Sequence, residues 1–140
     1  MPVFERVFPI KETPKGPRPF PTLYWLLDPA LLHAISDLER RGAIASFAER
    51  VAADPAFAAA VRRDHRRYAA ERWGLLSGAD RLRVAAAGFT AALRDRGVGG
   101  AGDDAAVKCL HAHAAHALAD RAAGREPNAI GAEVLDAVGG

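Results

Sequence analysis

Cys109, His113, His116 and Asp120 stand at relative positions i, i+4, i+7 and i+11. On a helix, at 100° per residue, their side chains fall within about 60° of one another and form one stripe. Thiolate sulfur, imidazole nitrogen and carboxylate oxygen are donors that zinc accepts, and residues one turn apart can converge on one ion. Cys109, His113 and His116 are therefore the candidate metal ligands, with zinc or another transition metal as cofactor. Asp28 is a further candidate ligand if the start of the first helix approaches this one. The spacing matches no established zinc signature.

Two other readings fit the same residues. Cys109 can act as a reactive thiolate, although Lys108 points about 100° away on a helix and no base is placed. Alternatively the stripe does no chemistry. A single cysteine then packs as a small hydrophobe, and its histidine neighbours are satisfied by carbonyls or water. His111, about 160° around the helix from Cys109, is expected to hydrogen-bond across a helix interface and to stay out of the ligand set. Tyr24 and Trp25 either line a pocket or pack. Whether the protein is an enzyme stays open.

The densest positive segment is Arg62-Arg63-Asp64-His65-Arg66-Arg67. Its i,i+4 arginine pairs could meet phosphates, yet no nucleic-acid-binding signature accompanies them. A solvated helix face is expected, and nucleic acid is not the expected partner. No phosphate loop, His-Glu-x-x-His helix or Gly-x-Ser-x-Gly elbow is present.

The elements that must position these residues are mostly helical. Asp28-Pro29 and Asp54-Pro55 each place an N-capping carboxylate before a proline at the first helical position. They predict helices from Pro29 to about Gly42 and from Pro55 to about Trp73, with a short helix over about 44–53 between them. Ser77 to Asp80 reads as a cap opening a helix that runs to Gly97, with Leu82, Ala86, Phe89 and Leu93 on its apolar side. Gly97 to Gly102 reads as a flexible loop. Asp103 or Asp104 is expected to cap the helix bearing Cys109, which ends near Gly124. Asn128 is expected to cap a last helix through Val138, with Gly131 as a close-packing position.

All 32 alanines lie at or after Ala30, and seven of the nine prolines at or before Pro29. Residues 1–27 are therefore expected to form an extended arm or short β-hairpin, with strands over 3–9 and 20–27 and a polar connection, packed on a helical domain of residues 28–140. Alanine-rich helices approach closely, so the fold class is mainly α, a compact helical bundle with that N-terminal arm. The 140 residues make one domain, and their net charge of +2 is a mild signal because 16 of the 19 basic residues are Arg. No apolar run approaches the roughly 20 residues of a membrane span, and no leader pattern opens the chain. One cysteine forms no internal disulfide, which points to a reducing, cytoplasmic location.

Phe20-Pro21-Thr22-Leu23-Tyr24-Trp25-Leu26, Val107-Lys108-Cys109-Leu110-His111 with His116, and the later Asn128 and Gly131 occur in an order that resembles a bacterial family of unknown function, the one numbered five hundred and one. The resemblance spans almost the whole chain and implies no activity. In some bacteria members of that family are encoded near a septum-formation protein and an exopolyphosphatase-like protein, which implies an associated cellular context and no mechanism. The family pattern has Cys-Pro where this chain has Asp28-Pro29, and an apolar residue where it has His113. The leading expectation is a small cytoplasmic binding or accessory protein acting through contacts with a protein partner. The alternatives are a metal-dependent or thiol-based activity on the Cys/His stripe and, more weakly, nucleic-acid contact through the Arg-rich helix.

Overall fold

The computed structural model describes residues 2–102 and 105–139. The fold is mainly α, with seven α-helices and a small β-arm among the described residues. The arm is a hairpin inside a hairpin. β1 (Phe4–Arg6) pairs antiparallel with β4 (Tyr24–Leu26), placing Phe4 opposite Leu26. Between them β2 (Ile10–Thr13) pairs with β3 (Gly16–Pro19). The polar connection expected between two long strands is thus itself the inner hairpin. Its turn closes because Gly16 takes φ +103°, which suits glycine, and the Thr13 hydroxyl donates to Gly16 O at 2.7 Å. A two-stranded ribbon has only edges, so Pro17 and Pro19 remove no ladder bond that a central strand would need.

Both Asp-Pro starts are helix N-termini. Asp28 accepts from Leu31 N at the head of α1 (Pro29–Arg40), and Asp54 accepts from the amides of Ala56 and Phe57 at the head of α3 (Pro55–Gly74). α2 (Ala43–Ala53) lies between them. The single helix expected up to Gly97 is two, α4 (Gly78–Ala86) and α5 (Thr90–Arg94). Gly88, at φ +82°, ends α4 in a Schellman turn, with Phe89 N donating to Val84 O and Gly88 N to Ala85 O. The turn buries Val84 beside Phe89 and leaves Leu82 74 % exposed, so Leu82 and Ala86 miss the core while Phe89 and Leu93 of the expected stripe join it.

The segment read as a flexible loop holds a 3-10 turn, Val98–Gly100, whose Val98 is fully buried. Residues Asp103 and Asp104, expected to cap the next helix, lie outside the described residues. That helix, α6 (Leu110–Ala122), begins one residue after Cys109, which is its extended N-cap residue at φ −140°. The cap acceptor comes from α1: Leu110 N donates to Glu39 Oε2 at 2.9 Å. α7 (Ala129–Ala137) is capped by Asn128, whose Oδ1 accepts from Gly131 N at 2.8 Å.

α6 is the central element, burying Leu110, Ala112, Ala114, Ala115 and Ala117 against β4, α1 and α7. Its thin alanine face lets α7 come very close. A Cβ on Gly131 would stand 2.1 Å from His113 O, so only glycine fits there. Leu23, Tyr24 and Leu26 of the arm belong to this same core, while Ile10, Leu76, Val84 and Leu93 form a smaller second cluster. Among the described residues no helix is long and apolar enough to cross a membrane.

Candidate functional site

The polar side chains of α6 divide between two places. Toward α3 and α7 they join a buried network that begins at Tyr24, whose hydroxyl donates to Glu71 Oε2 at 2.7 Å. Glu71 Oε1 lies 3.0 Å from His116 Nε2, His116 Nδ1 lies 3.1 Å from Asn128 Nδ2, and Asn128 Oδ1 lies 3.1 Å from His113 Nδ1. One backbone amide fixes every proton in this chain. Gly131 N–H must donate to an oxygen, which orients the Asn128 amide and turns its NH2 toward His116. His116 Nδ1 is then a lone pair, and its Nε2–H donates to Glu71. His113 donates through Nδ1–H and leaves Nε2 buried with no hydrogen-bond partner. Burial, aided by neighbouring His65 and His116, pushes the His113 pKa down to about 3, so the ring is neutral. Burial and the Glu71 carboxylate push Tyr24 up to about 12.

The carboxylates of this region are equally occupied. Asp120, fully buried, accepts from Arg67 Nη1 and Nη2, from Arg125 Nε and from Asn128 N. Asp64 accepts from Arg63 and Arg67 and, through Oδ2, from Ala129 N at the head of α7. Burial alone would raise Asp120 and Glu71; the ion pairs and hydrogen bonds overcome it and hold both below the usual carboxylate range. Arg63 and Arg67 therefore do not form the solvated face expected from the sequence. They tie down two buried carboxylates, because Asp64 falls on the core stripe of α3 with Phe57, Val61 and Tyr68.

Glu71, His116 and Asp120 bring one nitrogen and two oxygens within 4.8 Å of one another. The wiring above disfavours a metal there, since an ion on Nε2 would force the ring proton onto Nδ1 against the Asn128 NH2, and Asp120 is already saturated by Arg67, Arg125 and the Asn128 amide.

Cys109 points the other way. It gathers with Glu39 and His111, one donor atom from each lying within 4.8 Å of the others. Cys109 Sγ is 3.9 Å from His111 Nδ1, and that nitrogen is 3.4 Å from Glu39 Oε1. His111 Nε2 faces Ser36 Oγ at 3.0 Å and Leu32 O at 3.3 Å. A carbonyl only accepts, so Nε2 carries a proton, and Nδ1 is the ring nitrogen turned toward both the sulfur and the Glu39 carboxylate. Burial pushes the thiol above its ordinary pKa and Glu39 adds to this, while the amides of Ala112 and His111 at the helix end pull it down. The cluster borders an apolar cavity of about 430 Å³ between the arm, α1 and α6, lined by Trp25, Leu26, Leu32, Cys109 and His111 among others.

Cys109, His113 and His116 consequently do not share one cluster. Cys109 precedes the helix, so the i, i+4 relation to His113 does not apply to it; His113 faces α7 and His116 faces Glu71. His111, placed far from Cys109 by helical geometry, is instead its neighbour for the same reason. Asp28 is occupied as the α1 cap.

Over residues 2–136 the sequence matches the family described as "Protein of unknown function (DUF501)". The chain belongs to the DUF501 family. No curated protein and no solved structure matches it. The segment around Pro21 to Leu26 that suggested this DUF501 membership has a structural task. Tyr68 Oη accepts from the amides of Leu23 and Tyr24, and the fully buried Arg72 donates to Pro21 O as well as to Leu93 O and Arg96 O. Glu39, Glu71 and Arg72 carried no motif. Glu71 and Arg72 continue the α3 stripe of 57, 61, 64, 65 and 68, the signal that would have marked them as inward-facing.

Proposed function

We propose that the protein is a small cytoplasmic metal-binding protein that holds a divalent transition ion, zinc by donor type, through Cys109 Sγ, His111 Nδ1 and Glu39 Oε1. The observation that carries this reading is the spacing of the donors. Tetrahedral zinc with ordinary bond lengths sets sulfur and nitrogen ligands about 3.6 Å apart and nitrogen and oxygen ligands about 3.4 Å apart. Here the separations are 3.9 Å and 3.4 Å, with Nδ1 as the ring nitrogen turned toward the other two donors. Three protein donors leave a fourth position for an exchangeable ligand, as in catalytic rather than structural zinc sites.

Cobalt titration of untagged, metal-free protein tests it. The expected result is one equivalent bound, with a sulfur-to-cobalt charge-transfer band and strong tetrahedral d–d bands. Cys109→Ser abolishes the charge-transfer band, and His111→Ala and Glu39→Gln weaken binding at least tenfold. Affinity rises with pH because the thiol must lose its proton. Wild type that takes up neither cobalt nor zinc, or Cys109→Ser that binds as wild type does, overturns the proposal.

The protein-contact reading has its own footing in a groove of about 370 Å³ between α1, α2 and α7, lined by Leu38, Phe47 and Val134.

A further inference from the structure

The metal reading leaves open what occupies the fourth position. Two features of the surroundings constrain it: the cavity wall and the charge of the donor set.

Cys109 and His111 both line the 430 Å³ cavity, so an ion held between Sγ and Nδ1 adjoins it. Among the described residues the rest of the wall is Thr22, Tyr24, Trp25, Leu26 and Leu32, with Gly99 and Ala112. No Lys, Arg, Asp or Glu belongs to it among the described residues. The volume is in the range of small-molecule sites, and Trp25 is still 40 % exposed at its edge. Gly99 keeps the wall bare beside the thiol, since a Cβ there would stand 3.1 Å from Cys109 Cβ.

The charge count then selects among ligands. A thiolate and a carboxylate cancel the two positive charges of the ion, and the imidazole adds none. The filled centre is neutral. An anion at the fourth position would leave a net negative charge against apolar walls with no cation among the described lining residues to meet it, which is costly. A neutral oxygen donor carries no such penalty, and an apolar body behind it covers the wall.

We infer that this cavity takes a small neutral molecule with one oxygen donor, an amide, aldehyde or alcohol, on an apolar body, its oxygen directed to a metal held by Glu39, Cys109 and His111. The inference rests on the metal proposal above.

The test uses full-length cobalt-loaded protein and the straight-chain series acetamide, butanamide and hexanamide, with hexanoate as the charged counterpart of hexanamide. Binding is read from displacement of the cobalt d–d bands and from Trp25 fluorescence in a Trp73→Phe background. Affinity is expected to rise about fourfold for each added methylene until the cavity is filled. Hexanoate is expected to bind at least tenfold more weakly than hexanamide. Trp25→Ala is expected to keep cobalt affinity and flatten the chain-length dependence.

Cobalt bands that no amide displaces overturn this inference while leaving the metal site standing. Hexanoate binding as tightly as hexanamide overturns the charge argument, and equal amide binding without metal overturns the metal-directed pose. A chain-length series unchanged in Trp25→Ala places the ligand elsewhere and overturns it too. Protein that takes up no cobalt fails the earlier proposal first, and this one falls with it.

Discussion

The start and the middle of α6 present the same kinds of side chain and reach opposite chemical states. Near its middle, His116 meets Glu71 and Asp120, and each lone pair and proton has a partner placed by α3, α7 or the arm. Just before its first turn, Cys109 meets His111 and Glu39, and a thiol, an imidazole nitrogen and a carboxylate oxygen face one another beside a cavity. A histidine between two carboxylates looks more like a metal site than a cysteine at a helix cap. What decides is satisfaction: a donor set already closed by arginines and amides has nothing to offer an ion, however short its distances.

The largest effect that would sharpen this contrast is expected on the closed side. Arg67→Ala leaves Asp64 and Asp120 buried with fewer cations, which should cost about 3 kcal/mol or more in chemical denaturation. A loss under about 1 kcal/mol would mean that the network is not the rigid core it resembles.

Next comes the pH response of His113. Its pKa is about 3 in the fold against an ordinary 6.5, so between those values the unfolded chain carries a proton that the native state lacks. Stability therefore falls as pH falls through that window, by about 1.4 kcal/mol per unit. His113→Leu removes the buried, unpartnered Nε2 and should flatten the slope. Glu71 and Asp120, held low in the fold, still lose their contribution as pH drops through their depressed values. Urea midpoints at pH 7, 6 and 5 separate the two; equal slopes in wild type and His113→Leu would break the assignment.

The smallest effect belongs to the open side. Cys109→Ser should change the stability of the metal-free protein by less than about 1 kcal/mol, because the residue is half-buried and the α6 cap is supplied by Glu39. A loss comparable to that of Arg67→Ala would make Cys109 a packing residue and erase the difference between the two regions.

Most helix boundaries were readable because local chemistry sets them. Asp28-Pro29 and Asp54-Pro55 act through their own first turns, and Asn128 through Gly131 three residues on. The start of α6 was not readable, since its cap acceptor is Glu39 of another helix, 71 residues earlier. That one boundary moved Cys109 off the helical stripe and exchanged His113 for His111 as its neighbour. The arginine run misled for a related reason: charge density along the chain says nothing of direction, whereas the period of Phe57, Val61 and Tyr68 aims Asp64 inward and draws Arg63 and Arg67 after it.

Arg72 has a consequence for the order of assembly. Its guanidinium joins three carbonyls, one in the arm, one in α5 and one just after it, while Tyr68 takes the two amides of Leu23 and Tyr24. The partners of the arm thus lie more than 40 residues downstream of it. During synthesis the arm leaves the ribosome before these docking groups exist, and loop closure over that distance must precede any gain from the contacts. The Phe20 to Leu26 segment, with its exposed Trp25, therefore waits as an unprotected apolar strand until both α3 and α6 have emerged, and a nascent chain stalled before residue 72 should bind an apolar-surface dye that the finished protein excludes.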